Sequence, residues 1–218
     1  MWCIGHINAQ YRGRMYDLLD LYQEPYDPKK PVIGVDEKPK QLLGEKRKPI
    51  PLQPGKAEKY DYEYIRKGRA NIFVAVESKG GKRITKVTRR RTKKDFALYM
   101  KEIVLGYPYA EKMRVVIDDL NTHFESSFYE VFEKEEADWL LGKLEFHYTP
   151  RHASWLNVAE IEISAMDAEC TGRRIKDMPS LKKEVYAWTK RRNKEGKKID
   201  WRFTKEDADR KLVKHYVT

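Results

Sequence analysis

Two acidic doublets and one later acid carry the chemistry legible in this chain. Asp36-Glu37 follows the apolar run Val32-Ile33-Gly34-Val35, Asp118-Asp119 follows Met113 to Ile117, and Glu160 stands near the start of a predicted helix. Carboxylate oxygens are the ligands that hard divalent cations such as Mg²⁺ prefer. Two such ions roughly 3.5 to 4 Å apart stabilise both the attacking and the leaving oxygen of an in-line phosphoryl displacement, so no protein nucleophile is required. The chain shows no Ser/His/Asp, Cys/His or P-loop pattern that would suggest another chemistry. A structural reading stays open at this point, because Asp commonly follows strands as a turn former or helix cap and 34 Asp plus Glu make chance placement easy.

The elements that must position these acids follow from periodicity and punctuation. Val32 to Val35 reads as a buried strand that stops at Asp36 and delivers it from its C-terminal end. Arg69 to Val76 is apolar on both faces, as a central strand would be, and Lys79-Gly80-Gly81-Lys82 supplies a hairpin turn into a strand over Arg83 to Arg90. Met113 to Ile117 and Leu144 to Tyr148 are two more strands. Tyr11 to Tyr22 has Met15, Leu18, Leu19 and Tyr22 at helical spacing and ends before Pro25 and Pro28. Thr92 and Asp95 form a capping box for a helix that ends near Gly106. Further helices are predicted from Phe124 to Trp139, from Trp155 through Cys170, along the face Leu181, Val185 and Trp188, and after the cap Thr204-x-x-Asp207. Gly44 to Lys59, with three prolines and five Lys or Arg, reads as an extended basic loop: a clamp on a phosphate backbone or a solvated connection. Together the order predicts an α/β mixed sheet flanked by helices. The expected divisions are a lead-in helix and linker over 1–30, a catalytic domain over 31–175 and a C-terminal helical extension over 176–218.

At 218 residues one principal fold is expected. Forty-five Lys plus Arg against 34 Asp plus Glu leave a formal charge of +11, which favours polyanionic partners, while 40% hydrophobic residues exclude a disordered chain. No apolar stretch is long enough for a membrane span, and the N-terminus lacks the layout of a signal peptide, so a cytoplasmic location is expected. Cys3 and Cys170 sit in no zinc spacing and read as free thiols.

The acids also stand in motifs that resemble a known family. The runs Val35-Asp36-Glu37-Lys38-Pro39-Lys40-Gln41, Val116-Ile117-Asp118-Asp119-Leu120-Asn121-Thr122-His123 and His147 through Glu162, the last containing Arg151-His152-Ala153-Ser154-Trp155-Leu156-Asn157-Val158-Ala159-Glu160, are similar to the three acidic motifs of bacterial insertion-sequence transposases of the mariner-like superfamily. The likeness is closest to the six-thirty insertion-sequence family and runs from the Trp2 region to the Asp200–Thr204 tail. It implies a ribonuclease-H-like fold whose DDE triad is Asp36, Asp118 and Glu160. By analogy, Asp36 would bridge two Mg²⁺ or Mn²⁺ ions, and the other two acids would each complete one.

The activity so implied is hydrolysis of a phosphodiester at an element's end, followed by attack of the freed 3′-hydroxyl on target DNA, with TA dinucleotides as the expected target. Partners would be element ends and target DNA, held by a homodimer or larger synaptic assembly. Where the family usually has Asn, this chain has Asp119, which leaves Asp119 as a second choice of ligand beside Asp118. Glu37, Asp119, His123 and Asn157 are expected around the ligands rather than on the ions, and Glu162 in a similar place or facing solvent. His123 reads equally as a phosphate or water contact and as a helix-start residue, and Trp155 as a core anchor ahead of a base-stacking platform. Candidate DNA contacts are Lys38, Lys40, Lys46, Arg47, Lys48, Arg89, Arg90, Arg91, Arg151 and His152, with Lys190-Arg191-Arg192 and Lys197-Lys198 as further basic runs. The resemblance also implies that full-length relatives begin with a helix-turn-helix region that reads the element's ends, so end-specific binding by this chain alone is expected to be weak. Two rival readings remain: another nuclease of the same fold, and a catalytically silent DNA-binding fragment.

Overall fold

The structure is a computed structural model and describes residues 5–118 and 125–217. In chain order its elements are α1 (Ala9–Gln23), β1 (Val32–Glu45), β2 (Tyr64–Glu77), β3 (Lys82–Thr88), α2 (Lys93–Gly106), β4 (Met113–Ile117), α3 (Ser126–Tyr129), α4 (Lys134–Gly142), β5 (Leu144–Tyr148), α5 (Val158–Met166), α6 (Met178–Glu195) and α7 (Lys205–Leu212). The strands form one sheet in the order β3-β2-β1-β4-β5. β2 runs antiparallel to both β1 and β3, whereas β4 lies parallel to both β1 and β5.

Strand alternation sends side chains to two cores. Ile33, Val35, Phe73, Ala75, Val115 and Ile117 pack on α2, α3 and α4. Val76 and Val116 face α1, the start of α5 and α7, while Ile72 and Val74 face the rest of α5 and α6. Both faces of β2 are therefore covered from Ala70 onward, as its continuous apolar run requires. Met15, Leu18, Leu19 and Tyr22 make α1 part of the second core. Thr92 and Asp95 close the capping box of α2, and Thr204 and Asp207 that of α7, both at the positions their spacing indicates. Cys170 is a buried free thiol; Cys3 lies outside the described residues. Among the described residues no helix is long and apolar enough to cross a membrane.

Three elements differ from their sequence-based expectation. β1 does not stop at Asp36 but runs on to Glu45, because β2 pairs with it along its whole length, from Ile33 opposite Glu77 to Glu45 opposite Tyr64. Past Gly34 the pairing with β4 has ended, so among the described residues no strand pairs with that edge of β1, and Pro39 with its missing N–H is tolerated there. The basic loop is thus the tip of a long hairpin. The helix expected from Phe124 to Trp139 is broken into α3 and α4, with Glu133 extended between them. A straight helix advances about 100° per residue and would set Ala137 about 180° from Phe128; both are buried in one core, which the break makes possible. The helix expected from Trp155 to Cys170 is instead a 3₁₀ turn (Ser154–Leu156), α5, and a π turn (Asp167–Thr171). Gly172 closes that π turn on the Asp167 carbonyl, where a Cβ would lie 2.5 Å from the oxygen.

Candidate active site

Parity and register set two of the acids level with each other. On β1, Gly34 faces α5, and Asp36 is the next residue of the same parity. On β4, Val116 belongs to the core beneath α5, and Asp118 follows at the same parity. Parallel pairing sets Val32, Ile33 and Gly34 opposite Arg114, Val115 and Val116. Two positions on, this register puts Asp36 and Asp118 level with each other on adjacent strands.

The third acid arrives on α5. Asn157 is the N-cap of that helix, accepting from the Ala159 N–H at 3.1 Å, which makes Glu160 the third residue of the first turn. The same side chain donates through Nδ2 to the Val35 carbonyl at 2.8 Å, so one buried amide ties the start of the Glu160 helix to the residue before Asp36. Gly34 permits this contact: a Cβ there would lie 2.5 Å from Val158 Cγ2 and 3.0 Å from the Ala159 nitrogen. From the other side, the buried Tyr22 hydroxyl of α1 donates to the Leu156 carbonyl at 2.8 Å.

The Asp36 carboxyl is pushed up to about 7. Burial is the main cause; the Glu37 N–H, donating to Asp36 Oδ1 at 2.7 Å, opposes it, and the negative charges of Glu160, Asp118 and Glu37 add to it. Asp36 therefore feels the charges of Glu160 and Asp118, yet among the described residues no three Asp, Glu, His or Cys side chains are gathered closely enough to hold an ion as they stand. Asp119 and His123 lie outside the described residues.

Glu162 departs furthest from its expected place. It is fully buried, and its carboxylate accepts from Arg83 (Nε 3.0 Å, Nη2 2.9 Å) and from Arg192 (Nε 3.0 Å, Nη2 3.3 Å). Burial alone would raise its pKa, but the hydrogen bonds and charges of the two guanidiniums outweigh that and hold it below the usual carboxylate range. Arg192, read from sequence as a phosphate contact, is thus an internal residue, and Arg191 pairs with Glu169 at 2.6 Å. Sequence carried a signal for this: Leu181, Val185, Trp188 and Arg192 continue one buried helical face.

The candidate DNA contacts divide by partner. Lys38 pairs with Asp167, and Lys40 donates to the Thr171 and Arg173 carbonyls, lashing β1 to the π turn. Lys46 and Arg47 pair with Glu63 and Asp61 across the hairpin tip. Lys48, Arg89, Arg90, Arg91, Arg151 and His152 are exposed. Trp155 is partly buried and meets Phe203 edge-on at 5.5 Å, in keeping with an anchoring role. His147, which accompanies the third motif, lies in β5, with Nδ1 2.7 Å from Asp17 of α1.

Residues 31–182 match the sequence model of the DDE superfamily endonucleases. The chain belongs to that family. Among solved structures, this DDE-family chain is similar to the Mos1 mariner paired-end complex with Mn, at 15% identity and a TM-score of 0.56, over 88% of this chain and 58% of that one. It is likewise similar to the Mos1 transposase paired-end complex with left transposon end, at 14% identity and 0.56 over 87% and 57%, and to the Mos1 strand transfer complex, at 13% and 0.56 over 83% and 53%. The chain thus spans less than three fifths of each Mos1 chain. At these identities the likeness speaks for the fold, the ribonuclease-H-like mixed sheet flanked by helices that the motifs implied. A comparison with curated proteins finds no match.

Proposed function

We propose that this chain is the catalytic domain of a DNA transposase of the mariner-like superfamily, nearest the bacterial six-thirty insertion-sequence family, with Asp36, Asp118 and Glu160 as its DDE triad. The observation that carries the reading is the shared level of Asp36 and Asp118 on adjacent strands, beneath the first turn of the helix bearing Glu160. The donor set suits Mg²⁺ or Mn²⁺, since all three groups are hard carboxylates; the Asp36 pKa is raised chiefly by burial, with the charges of Glu160 and Asp118 adding to it. Two such ions, when bound, would activate water and then a 3′-hydroxyl for attack on phosphorus.

The remaining work belongs to the chain's own side chains. Asp36 would offer its carboxylate from the middle of β1, Asp118 from just past the end of β4, and Glu160 from the first turn of α5. Asn157 keeps Glu160 in place by bonding the Val35 carbonyl, and Gly34 lets the helix approach. Exposed Arg89, Arg90, Arg91, Lys48 and Arg151 would hold phosphates of element ends and target DNA. The synaptic assembly would be a homodimer or larger, acting in the cytoplasm.

The test uses duplex DNA and a pre-cut substrate with a free 3′-hydroxyl. Metal-dependent nicking and strand transfer are expected, with Asp36→Asn lowering both rates by about 10²–10³-fold, the order seen when a group stabilising transition-state charge is removed, while duplex binding stays intact. If Asp36→Asn nicks as fast as the parent, the assignment of the triad is wrong; nicking without joined products would favour a nuclease of the same fold.

A further inference from the structure

A pair of adjoining cavities lies on the turn that leads into α5. The first, of about 600 Å³, is walled by Tyr11, Trp155, Trp201 and Phe203, with Arg151 and Lys211 at its rim. The second, of about 430 Å³, shares His6, Tyr11, Arg151 and His152 with it and adds Asn8, Gln10 and Arg14. No acidic residue lines either cavity among the described residues. One compartment is thus aromatic, and its neighbour is polar and basic.

The aromatic walls are fixed in advance. Trp155 meets Phe203 edge-on at 5.5 Å, and Trp201 rests against Tyr22 at 4.8 Å with its Nε1 donating to the Phe203 carbonyl at 2.8 Å. Rings already held by packing lose little freedom on gaining a ligand. Lys211 Nζ stands 5.2 Å from the centre of the Phe203 ring, so the aromatic wall and the positive charge meet at one edge. An apolar peptide would fill the first cavity but offer no counter-charge to Arg151 and Lys211. A flat aromatic group joined to an anion satisfies both compartments.

We propose that these cavities bind one unpaired nucleotide of a DNA strand, its base among Trp155, Trp201 and Phe203 and its phosphate among Arg151, His152, Asn8 and Gln10. The proposal rests on reading the chain as a DNA-processing enzyme and adds to that reading a place where a base leaves the duplex. Trp155 lies two residues before the Asn157 cap and five before Glu160, so a nucleotide held there would fix the strand's position relative to the acids. Stacking on aromatic side chains tolerates any base, because every base has a π face. The cavity should therefore hold a strand without reading its sequence.

The whole chain is titrated with a five-residue single-stranded oligodeoxyadenylate, and with an abasic deoxyribose-phosphate strand of the same length, following tryptophan fluorescence. The base-bearing strand should quench the signal and bind about tenfold or more tightly than the abasic strand, the order expected for stacking. Trp155→Leu should abolish the preference. Because that variant could lose its fold, the exposed pair Arg151→Glu and Lys211→Glu is measured too; it should weaken both strands about tenfold with an unchanged melting curve. Equal affinity for the two strands, an absence of quenching, or parent-like binding by the charge-reversed pair would overturn the proposal. Metal-dependent duplex nicking is assayed in parallel. A chain that nicks without preferring bases loses this inference alone, and one that prefers bases without nicking loses only the transposase reading.

Discussion

Asp36 is the residue at which stability and proposed function oppose each other. An acid whose folded pKa stands above its unfolded value binds its proton more tightly when folded, so ionising it costs stability. With a folded value of about 7, the penalty is absent below about pH 4, grows as pH rises, and is complete above about pH 7. Asp36→Asn should therefore stabilise the metal-free chain at pH 8 by about 1–3 kcal/mol, a gain of several degrees in Tm. At pH 4 parent and variant should melt together. Adding Mg²⁺ should raise the parent's Tm but not the variant's. A variant less stable than the parent at pH 8 in chelator would show that Asp36 is a structural acid.

At the scale of the element, α5 is held at its start and at its middle by different means. Its start is pinned to β1 by Asn157, and two residues past Glu160 the Glu162 carboxylate is clasped by Arg83 from β3 and Arg192 from α6. Removing one partner of a buried charge cluster leaves the others uncompensated, so Glu162→Ala should cost about 3–5 kcal/mol, read by urea unfolding. Replacing all three with apolar residues of similar size should be far milder. Because the Glu162 pKa is depressed, its contribution is present above the ordinary carboxylate pKa and is lost as pH falls through its lower folded value. A Glu162→Ala cost below about 1 kcal/mol would mean that the cluster does not secure α5.

Across the whole molecule, a formal charge of +11 is divided between internal and outward cations. Lys38, Lys40 and Arg192 are spent on intrachain partners, whereas Arg89, Arg90 and Arg91 sit exposed between β3 and α2. Phosphate contacts release counterions, so changing all three outward arginines to Ala should lower the slope of log affinity against log salt by about 2–3 for duplex DNA. Lys38→Ala should instead lower Tm and leave that slope alone. An unchanged slope in the triple variant would move the DNA path off this surface.

Much of the fold was legible because it is local. The strands over Met113–Ile117 and Leu144–Tyr148, and the caps at Thr92 and Thr204, depend on neighbours a few residues away, and the structure agrees with their sequence-based boundaries. The three acidic motifs and the ribonuclease-H-like class were likewise readable. Tertiary structure alone decided the rest. The length of β1 depends on a partner strand some thirty residues away, the break between α3 and α4 on which core Ala137 must reach, and the burial of Glu162 on two arginines from distant elements. Charged residues such as Lys38 and Arg192 look alike in sequence whether they face solvent or a buried carboxylate, since only folding determines what stands opposite them. The shared level of Asp36 and Asp118 on adjacent strands is of the same kind: residue type cannot set it, and strand register does.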